Sequence, residues 1–353
     1  MIKLPWKTKG MMIAAPRPHN VGLFEEFVEK KLAPGGCNLI VLRVCYGYNF
    51  TSHPECASPD QPLSLTHVKR IVNVCRKNGI KLIPKMNLMG HQAPKQESDY
   101  RIDRTLGLLR GHPEFGETPP DQKIFYCPSL CPNHPDIKPI VFDLMDEMLE
   151  VFEADALHIG MDEVFTLGEC ERCKNISPDK LFADWTNTLH RHIKSRGART
   201  LMWGDHLLPL SDCYSSWHAD NRKNTENAIN LIDKDILICD WHYHYHKNLK
   251  GFPSVDIFAD KGFKMLVSPL HLNNTAPSFI DYAIEHDRGH IEGLLLTSWE
   301  ESYQIAGYML ENPDDYSGHR FNLKRLQDMT ETIDMVFGNR EVKKVKAEIS
   351  NKE

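Results

Sequence analysis

Two adjacent carboxylates, Asp162 and Glu163, follow directly on an apolar run that begins at Ala156. A buried parallel strand has room for ionised groups only at its C-terminal end, where the loops open to solvent. Neighbouring carboxylates in a partly dry pocket repel each other, so one stays protonated and the other ionised near neutrality. This pairing suits acid-catalysed bond cleavage, whereas a surface pair or the first turn of a helix would be the structural alternative.

Apolar runs and amphipathic stretches alternate along the chain and predict the elements that position this pair. The predicted strands contain residues 11–17, 38–46, 81–88, 156–165, 199–203, 235–241, 263–269 and 293–299. Regularly alternating βα units of this number predict an α/β protein with a single closed (β/α)8 TIM barrel. We place the catalytic barrel at residues 1–310 and a C-terminal helical extension, packed on the barrel, at residues 311–353.

The active sites of such barrels lie where the C-terminal ends of the strands meet. In chain order, those ends supply Arg17, Tyr46, His91, Asp162, Glu163, Trp203, Asp205, Trp241, His242, Trp299 and Glu301. Indole rings offer flat apolar faces, on which sugar rings can stack, and the charged groups can hydrogen-bond to hydroxyls. The composition of this rim therefore favours a carbohydrate ligand over a phosphate or a nucleotide.

Four segments at these strand ends resemble glycoside hydrolase family 20, the β-N-acetylhexosaminidases. His158–Val164 is similar to the family's His-x-Gly-Gly-Asp-Glu signature, and Ile83–His91 to its Pro-Glu-x-Asp-x-Pro-Gly-His segment. Trp299–Glu301 is similar to the family's Trp-x-Glu, and Trp203–Asp205 falls where members have Trp-Asp-Glu. The likeness covers the predicted barrel in the same order along the chain.

The resemblance implies an exo-acting, retaining enzyme that removes terminal N-acetylglucosamine or N-acetylgalactosamine from glycans or glycoconjugates. The acetamido oxygen of the sugar attacks its own anomeric carbon, so no enzyme nucleophile and no cofactor is required. Glu163 would be the general acid and base, and Asp162 would hold the acetamido N–H. The substrate-binding residues implied in the same way are Arg17, His91, Trp203, Trp241, Tyr243, Trp299 and Glu301.

The chain departs from the family pattern at several positions, which predicts a divergent member. Lys85 and Asn87 stand where the family has Glu and Asp. The seventh predicted strand lacks the family's Tyr-x-Asp, which leaves the tyrosine that contacts the acetamide unassigned, and Tyr243 or Tyr245 could take its place.

Two groups of residues could bind metal. Cys127, Cys131, Cys170 and Cys173 flank the carboxylate strand at spacings compatible with a structural zinc, and free thiols or a disulfide are the alternatives. His242, His244 and His246 alternate along one strand end, which suggests a metal-dependent TIM-barrel hydrolase as a second function. A non-catalytic barrel that binds amino sugars is the third.

Net charge and hydropathy limit the kinds of partner that the chain is expected to bind. The 353 residues include 42 Lys and Arg against 48 Asp and Glu, a net charge of −6 that does not favour nucleic acid or an anionic membrane. No apolar run approaches the roughly 18 residues that span a bilayer. We therefore expect a carbohydrate substrate, a cytoplasmic location and possible homodimers, although an exported form whose signal had been removed would look the same.

Overall fold

A computed structural model describes residues 4–92, 107–118, 127–209, 224–243, 251–270, 275–311 and 323–337. Its parallel strands are β1 Thr8–Ala14, β2 Leu39–Arg43, β3 Lys81–Lys85, β4 Ala156–His158, β5 Arg199–Trp203, β6 Leu237–His242, β7 Met265–Pro269 and β8 Ile291–Thr297. Each strand pairs with its neighbour in sequence, and β1 also pairs with β8, so the sheet closes on itself. The predicted (β/α)8 barrel is confirmed.

Helices connect most of the strands in sequence and pack around the outside of the barrel. The α-helices of the described residues are α1 Val21–Phe27, α2 Leu65–Lys77, α3 Ile137–Val151, α4 Pro178–Ser195, α5 Ser254–Asp260, α6 Thr275–His286, α7 Ser302–Met309 and α8 Leu323–Phe337. A π-helical turn, Val28–Leu32, continues α1, and the described residues between β5 and β6 form only short 3-10 helices. No described helix is both long and apolar enough to cross a membrane.

Helix α2 illustrates how local sequence sets these elements. The Ser64 hydroxyl accepts a hydrogen bond from the His67 backbone N–H at 3.4 Å and so caps the N-terminus. Val68, Ile71 and Cys75 form the buried face. Gly79, with φ +66°, ends the turn in the left-handed conformation that glycine adopts without steric cost.

Alternation along the strands divides the core into two layers. Residues that face the helices form the larger layer, whereas every second strand residue packs inside the barrel. The inner layer contains Met12, Leu39, Val41, Ile83, Ala156, Leu201, Trp203, Leu237, Cys239, Trp241, Leu266 and Leu295. Its C-terminal end is aromatic, because Tyr243 and Trp299 pack on the same cluster. The same alternation directs Arg43, Lys85 and His158 inward, two residues beyond Val41, Ile83 and Ala156.

Helix α8 packs on the outside of the barrel. Leu326, Met329 and Ile333 are buried in the outer core layer. The Arg325 Nε atom lies 2.5 Å from a carboxylate oxygen of Glu300, which follows β8. The chain after β8 therefore folds back onto the barrel, and the division of the chain at residue 310 stays a prediction.

Candidate active site

The two carboxylates lie on a tight turn after β4. The strand ends at His158, so the predicted strand through Phe165 is wrong in its second half. Gly160, Met161 and Glu163 all have positive φ, at 76°, 77° and 49°. Residues other than glycine adopt this conformation at an energetic cost, and it recurs where a turn is held in place for function. The backbone thus bends sharply at this point, and both acids sit in the turn rather than on the strand.

His91 joins the two carboxylates. Its Nε2 atom lies 3.2 Å from Asp162 Oδ2 and 3.4 Å from Glu163 Oε2. The preceding residue, Gly90, is in close backbone contact with the same turn, since a Cβ atom there would lie 2.6 Å from the Asp162 carbonyl oxygen. The loop after β3 therefore holds the His91 imidazole against the acids.

Asp162 and His91 carry opposite charges. Burial raises the pKa of Asp162, but the positive charges of His91 and Lys85 outweigh burial and hold this pKa below its ordinary value. Burial lowers the pKa of His91, yet the Asp162 carboxylate outweighs it, so the His91 pKa is raised well above its ordinary value. At neutral pH the site therefore contains an Asp162 carboxylate paired with a His91 imidazolium.

Asp205, which was expected at the rim without a role, is a third carboxyl of the site. Its Oδ2 atom accepts a hydrogen bond from the Glu163 backbone N–H at 3.1 Å, and Oδ1 accepts one from Trp241 Nε1 at 3.4 Å. Burial, together with the nearby Asp162 charge, raises the pKa of Asp205 to about 7. Asp205 thus exchanges a proton near neutrality while Asp162 stays ionised.

The predicted aromatic residues meet beside the carboxylates. Ring centroids lie 6.3 Å apart for Trp203 and Trp299, 6.4 Å for Tyr243 and Trp299, and 4.6 Å for Trp241 and Tyr243. The His158 ring lies 4.7 Å from Trp203, which connects this cluster to the end of β4. Trp203 is fully buried and forms the floor of the cluster, whereas Trp299 is partly exposed.

Several buried polar atoms of this cluster have no hydrogen-bond partner within the described ranges. They are Asp162 Oδ1, Trp203 Nε1 and His158 Nε2. The Tyr243 hydroxyl, which has Thr297 and Trp299 as polar neighbours, makes no hydrogen bond of good geometry. Buried polar groups of proteins are nearly always paired, and exceptions concentrate at sites where a ligand supplies the partner. The cluster therefore offers an acceptor, Asp162, and donors, Tyr243 and Trp203, to a bound molecule.

Two cations lie among the inward-facing residues, and sequence reasoning gave neither a role in the site. Lys85 is 1% exposed and donates a hydrogen bond to Asn87 Oδ1 at 2.5 Å. The Arg43 guanidinium lies 5.2 Å from the Trp299 ring centroid and donates to the Trp299 carbonyl at 3.2 Å. Lys85 lies two residues after Ile83, which faces inward, so strand alternation could have predicted that Lys85 faces inward as well.

Arg17 and Glu301 lie at the ends of the neighbouring strands β1 and β8. Arg17 Nε is 3.9 Å from Glu301 Oε2, and Arg17 Nη2 is 4.0 Å from Asp60 Oδ2. The Arg17 guanidinium also lies 5.9 Å from the Tyr303 ring centroid. The structure therefore brings these two expected sugar-binding residues together as an ion pair at the rim.

The predicted set of four cysteines is not assembled as such. Cys131, Cys170 and Cys173 lie together, and the fourth group among them is the Glu117 carboxylate. Cys127 instead lies against the active site, with its Sγ 3.7 Å from His91 Nδ1. Spacing in the sequence identified the right loops but could not reveal which side chain completes the group.

Of the three histidines that suggested a metallohydrolase, the structure describes His242. His242 is fully buried, and its Nε2 lies 2.7 Å from Ser254 Oγ and 3.2 Å from Asp240 Oδ1. Its ring packs edge-on against Phe279 of α6, so it faces the helices rather than the pocket. The other two histidines, together with Tyr245, lie outside the described residues.

Comparison with known proteins agrees with this geometry. Residues 51–309 match the family described as glycosyl hydrolase family 20, catalytic domain. A search of curated proteins finds no match. Among solved structures, the fold is similar to that of a chitobiase from Flavobacterium johnsoniae, with 15% identity and a TM-score of 0.62 over 95% of this chain and 52% of that one.

Two further solved structures are similar. An exo-β-N-acetylglucosaminidase from Vibrio harveyi, in complex with N-acetylglucosamine, is 14% identical with a TM-score of 0.62, over 96% of this chain and 60% of that one. A β-N-acetylhexosaminidase from Bacteroides fragilis is 14% identical with a TM-score of 0.61, over 94% and 71%. The present chain thus spans between half and two thirds of the length of the first two proteins. The structural likeness shows the shared fold, and the family match covers most of the chain: this protein belongs to glycoside hydrolase family 20.

Proposed function

We propose that this family member is a glycoside hydrolase, namely an exo-acting, retaining β-N-acetylhexosaminidase. The observation that carries the proposal is the buried Asp162 Oδ1 atom, which has no hydrogen-bond partner among the described residues, together with the buried Tyr243 hydroxyl, which makes no hydrogen bond of good geometry to its neighbours Thr297 and Trp299. An acetamido group presents one N–H donor and one carbonyl acceptor, which is the complement of this pair. The surrounding indoles would stack on the sugar ring, and burial of the site would exclude water from the amide.

The chemistry follows from the positions of the two acids. Glu163 donates its proton to the glycosidic oxygen as the bond to the anomeric carbon breaks, and the acetamido oxygen forms a new bond to that carbon. The resulting oxazolinium is opened by water, whose proton returns to Glu163. Two inversions at the same carbon give net retention, and no protein nucleophile is needed.

Asp162 has a positioning and electrostatic role in this scheme. An ionised Asp162 accepts the acetamido N–H through Oδ1 and stabilises the positive charge that develops on the nitrogen. His91 contacts its other oxygen, Oδ2, and together with Lys85 keeps the carboxylate ionised despite burial. At the rim, Arg17 and Glu301 would bind hydroxyl groups of the terminal sugar.

Hydrolysis of chromogenic glycosides tests the proposal. The wild type should release 4-nitrophenol from the β-N-acetylglucosaminide or the β-N-acetylgalactosaminide, but not from the β-glucoside, which lacks the acetamido group. Glu163→Gln should lose this activity, whereas Glu285→Gln, an exposed residue of α6, should retain it.

Three outcomes would count against the proposal. Equal turnover of the β-glucoside would show that the acetamide takes no part. Full activity of Glu163→Gln would show that Glu163 is not the general acid. Tight binding of a thiazoline mimic with no turnover of any glycoside would instead identify an amino-sugar-binding barrel.

A further inference from the structure

Three thiols and a carboxylate meet where two loops join beside the active site. Glu117 and Cys131 belong to the connection between β3 and β4, and Cys170 and Cys173 to the connection between β4 and α4. One oxygen of Glu117 and the three sulfurs all lie within 4.8 Å of one another. Apart from Cys170, which is partly exposed, the residues are buried.

The distances between the sulfurs fit a shared metal ion better than a disulfide. Cys131 Sγ lies 3.4 Å from Cys170 Sγ and 3.6 Å from Cys173 Sγ. A disulfide would bring two sulfurs to about 2.05 Å. By contrast, sulfurs at the corners of a tetrahedron around zinc, each about 2.3 Å from the metal, are roughly 3.8 Å apart.

Glu117 supplies an independent indication of a cation. It is fully buried, and its Oε1 accepts hydrogen bonds from the backbone N–H groups of Glu169 at 2.7 Å and Cys170 at 3.3 Å. Its Oε2 is also buried but has no hydrogen-bond partner among the residues that the structure describes. A buried carboxylate oxygen is costly unless it is paired or coordinates a metal.

We propose that Glu117, Cys131, Cys170 and Cys173 bind one structural zinc ion. Thiolate ligands select zinc over magnesium or calcium, and a closed set of four protein ligands is typical of structural rather than catalytic zinc. Asn133 Nδ2 lies 3.6 Å from Cys173 Sγ and would support that ligand from outside the metal shell. Binding releases the protons of the three thiols to solvent.

The site would fix the loop that lies against His91. Cys127 touches His91, and Cys131, four residues later, would be anchored to the metal. Between them, the Leu130 backbone N–H donates to the Met89 carbonyl at 2.9 Å, so this strip of chain also supports the segment before His91. This metal site does not depend on the identity of the sugar, and its test does not require activity.

Metal analysis of the intact protein tests the site. The chain, expressed with zinc and purified under reducing conditions, should contain about one zinc per molecule by mass spectrometry, as a single closed site requires. Cys170→Ser should abolish stoichiometric zinc. Glu117→Gln, which keeps the side-chain shape, should weaken zinc binding by more than the roughly 10- to 100-fold that outer-shell partners cost.

Cys127→Ser is the matched control, because this residue lies in the same loop but outside the proposed ligand set. It should keep its zinc. If Cys170→Ser fails to fold, cobalt substitution of the wild type gives the second measurement: tetrahedral cobalt absorption with thiolate charge-transfer bands should appear and should change in Glu117→Gln.

Wild-type protein without zinc that also gives no tetrahedral cobalt spectrum would overturn the proposal. So would a Cys131–Cys170 disulfide found by peptide mapping of the protein purified without reductant. Loss of zinc in Cys127→Ser, with full retention in Glu117→Gln, would assign the metal to the four cysteines instead.

Discussion

Replacing Tyr243 by phenylalanine should separate stability from catalysis. The hydroxyl is buried, with Thr297 and Trp299 as polar neighbours, and makes no hydrogen bond of good geometry within the described part of the chain. Burial raises the pKa of Tyr243 and outweighs the opposing effect of Thr297 and Trp299, so the hydroxyl stays neutral throughout an ordinary assay range. Tyr243→Phe removes only this oxygen and leaves the ring in its aromatic cluster.

The two expected effects have opposite signs. A buried, unsatisfied hydroxyl costs roughly 1–3 kcal/mol, so its removal should leave the free energy of unfolding unchanged or raise it by up to that amount. In the transition state, the same hydroxyl would donate to an acetamido oxygen that is becoming charged, an interaction worth roughly 1.5–3 kcal/mol. Its loss should lower kcat/KM by about 10- to 100-fold.

The assay combines turnover of 4-nitrophenyl β-N-acetylglucosaminide with urea unfolding. Tyr46→Phe is the control for stability, because the Tyr46 hydroxyl is also buried but donates to the Asn87 carbonyl at 2.9 Å. Tyr46→Phe should lose about 1 kcal/mol, since it removes a buried hydrogen bond, while the Asn87 carbonyl keeps the bond that it accepts from Gln92 Nε2 at 2.7 Å. The reasoning is refuted if Tyr243→Phe keeps wild-type kcat/KM, or if it is destabilised as much as Tyr46→Phe.

Three more predictions concern the carboxylates. Glu163→Gln should lower kcat by roughly 10²–10⁴-fold while a thiazoline inhibitor still binds, measured by initial rates and calorimetry; an unchanged kcat would remove Glu163 from the mechanism. Asp205 has a pKa raised from 3.8 to about 7, so its stabilising contribution is present below pH 3.8 and is lost as the pH rises through 7. The melting temperature of the wild type should therefore fall relative to that of Asp205→Asn between pH 5 and pH 8, and parallel melting curves would contradict the pKa shift. Lys85→Met removes a cation that keeps the pKa of Asp162 low, so the acidic limb of the kcat/KM profile should move to higher pH; a profile with unmoved limbs would argue against this coupling.

The barrel could be predicted from the sequence because its signal is distributed over the whole chain. Eight apolar runs separated by helical or loop segments leave few alternatives, and an error at one strand does not change the count. The same rule placed Asp162 and Trp299 at one rim, since both follow strand ends. The end of β4 was not predicted correctly, because apolar residues resume at Val164 and Phe165 after the two acids, while the backbone already enters left-handed conformations at Gly160.

The remaining features depend on contacts between distant segments. Glu117 is separated from Cys170 by a strand and a helix, and no spacing rule links a lone glutamate to a cysteine pair. Cys127 matched a zinc pattern by spacing, yet the fold turns it toward His91. Asp205 was visible at its strand end, but its proximity to Asp162, and hence its raised pKa, follows only from the closed barrel.

Gly90 is a position of this site that accepts no other residue without a shift of the backbone. Any side chain larger than hydrogen would place a carbon 2.6 Å from the Asp162 carbonyl oxygen, and that obstacle is main chain, which no rotamer change can relieve. The neighbouring Lys85 and Asn87 differ from the family's acidic residues, yet the glycine and histidine that follow match it. An engineer who wished to retune this enzyme could therefore exchange the polar residues of that segment but would have to leave Gly90 alone.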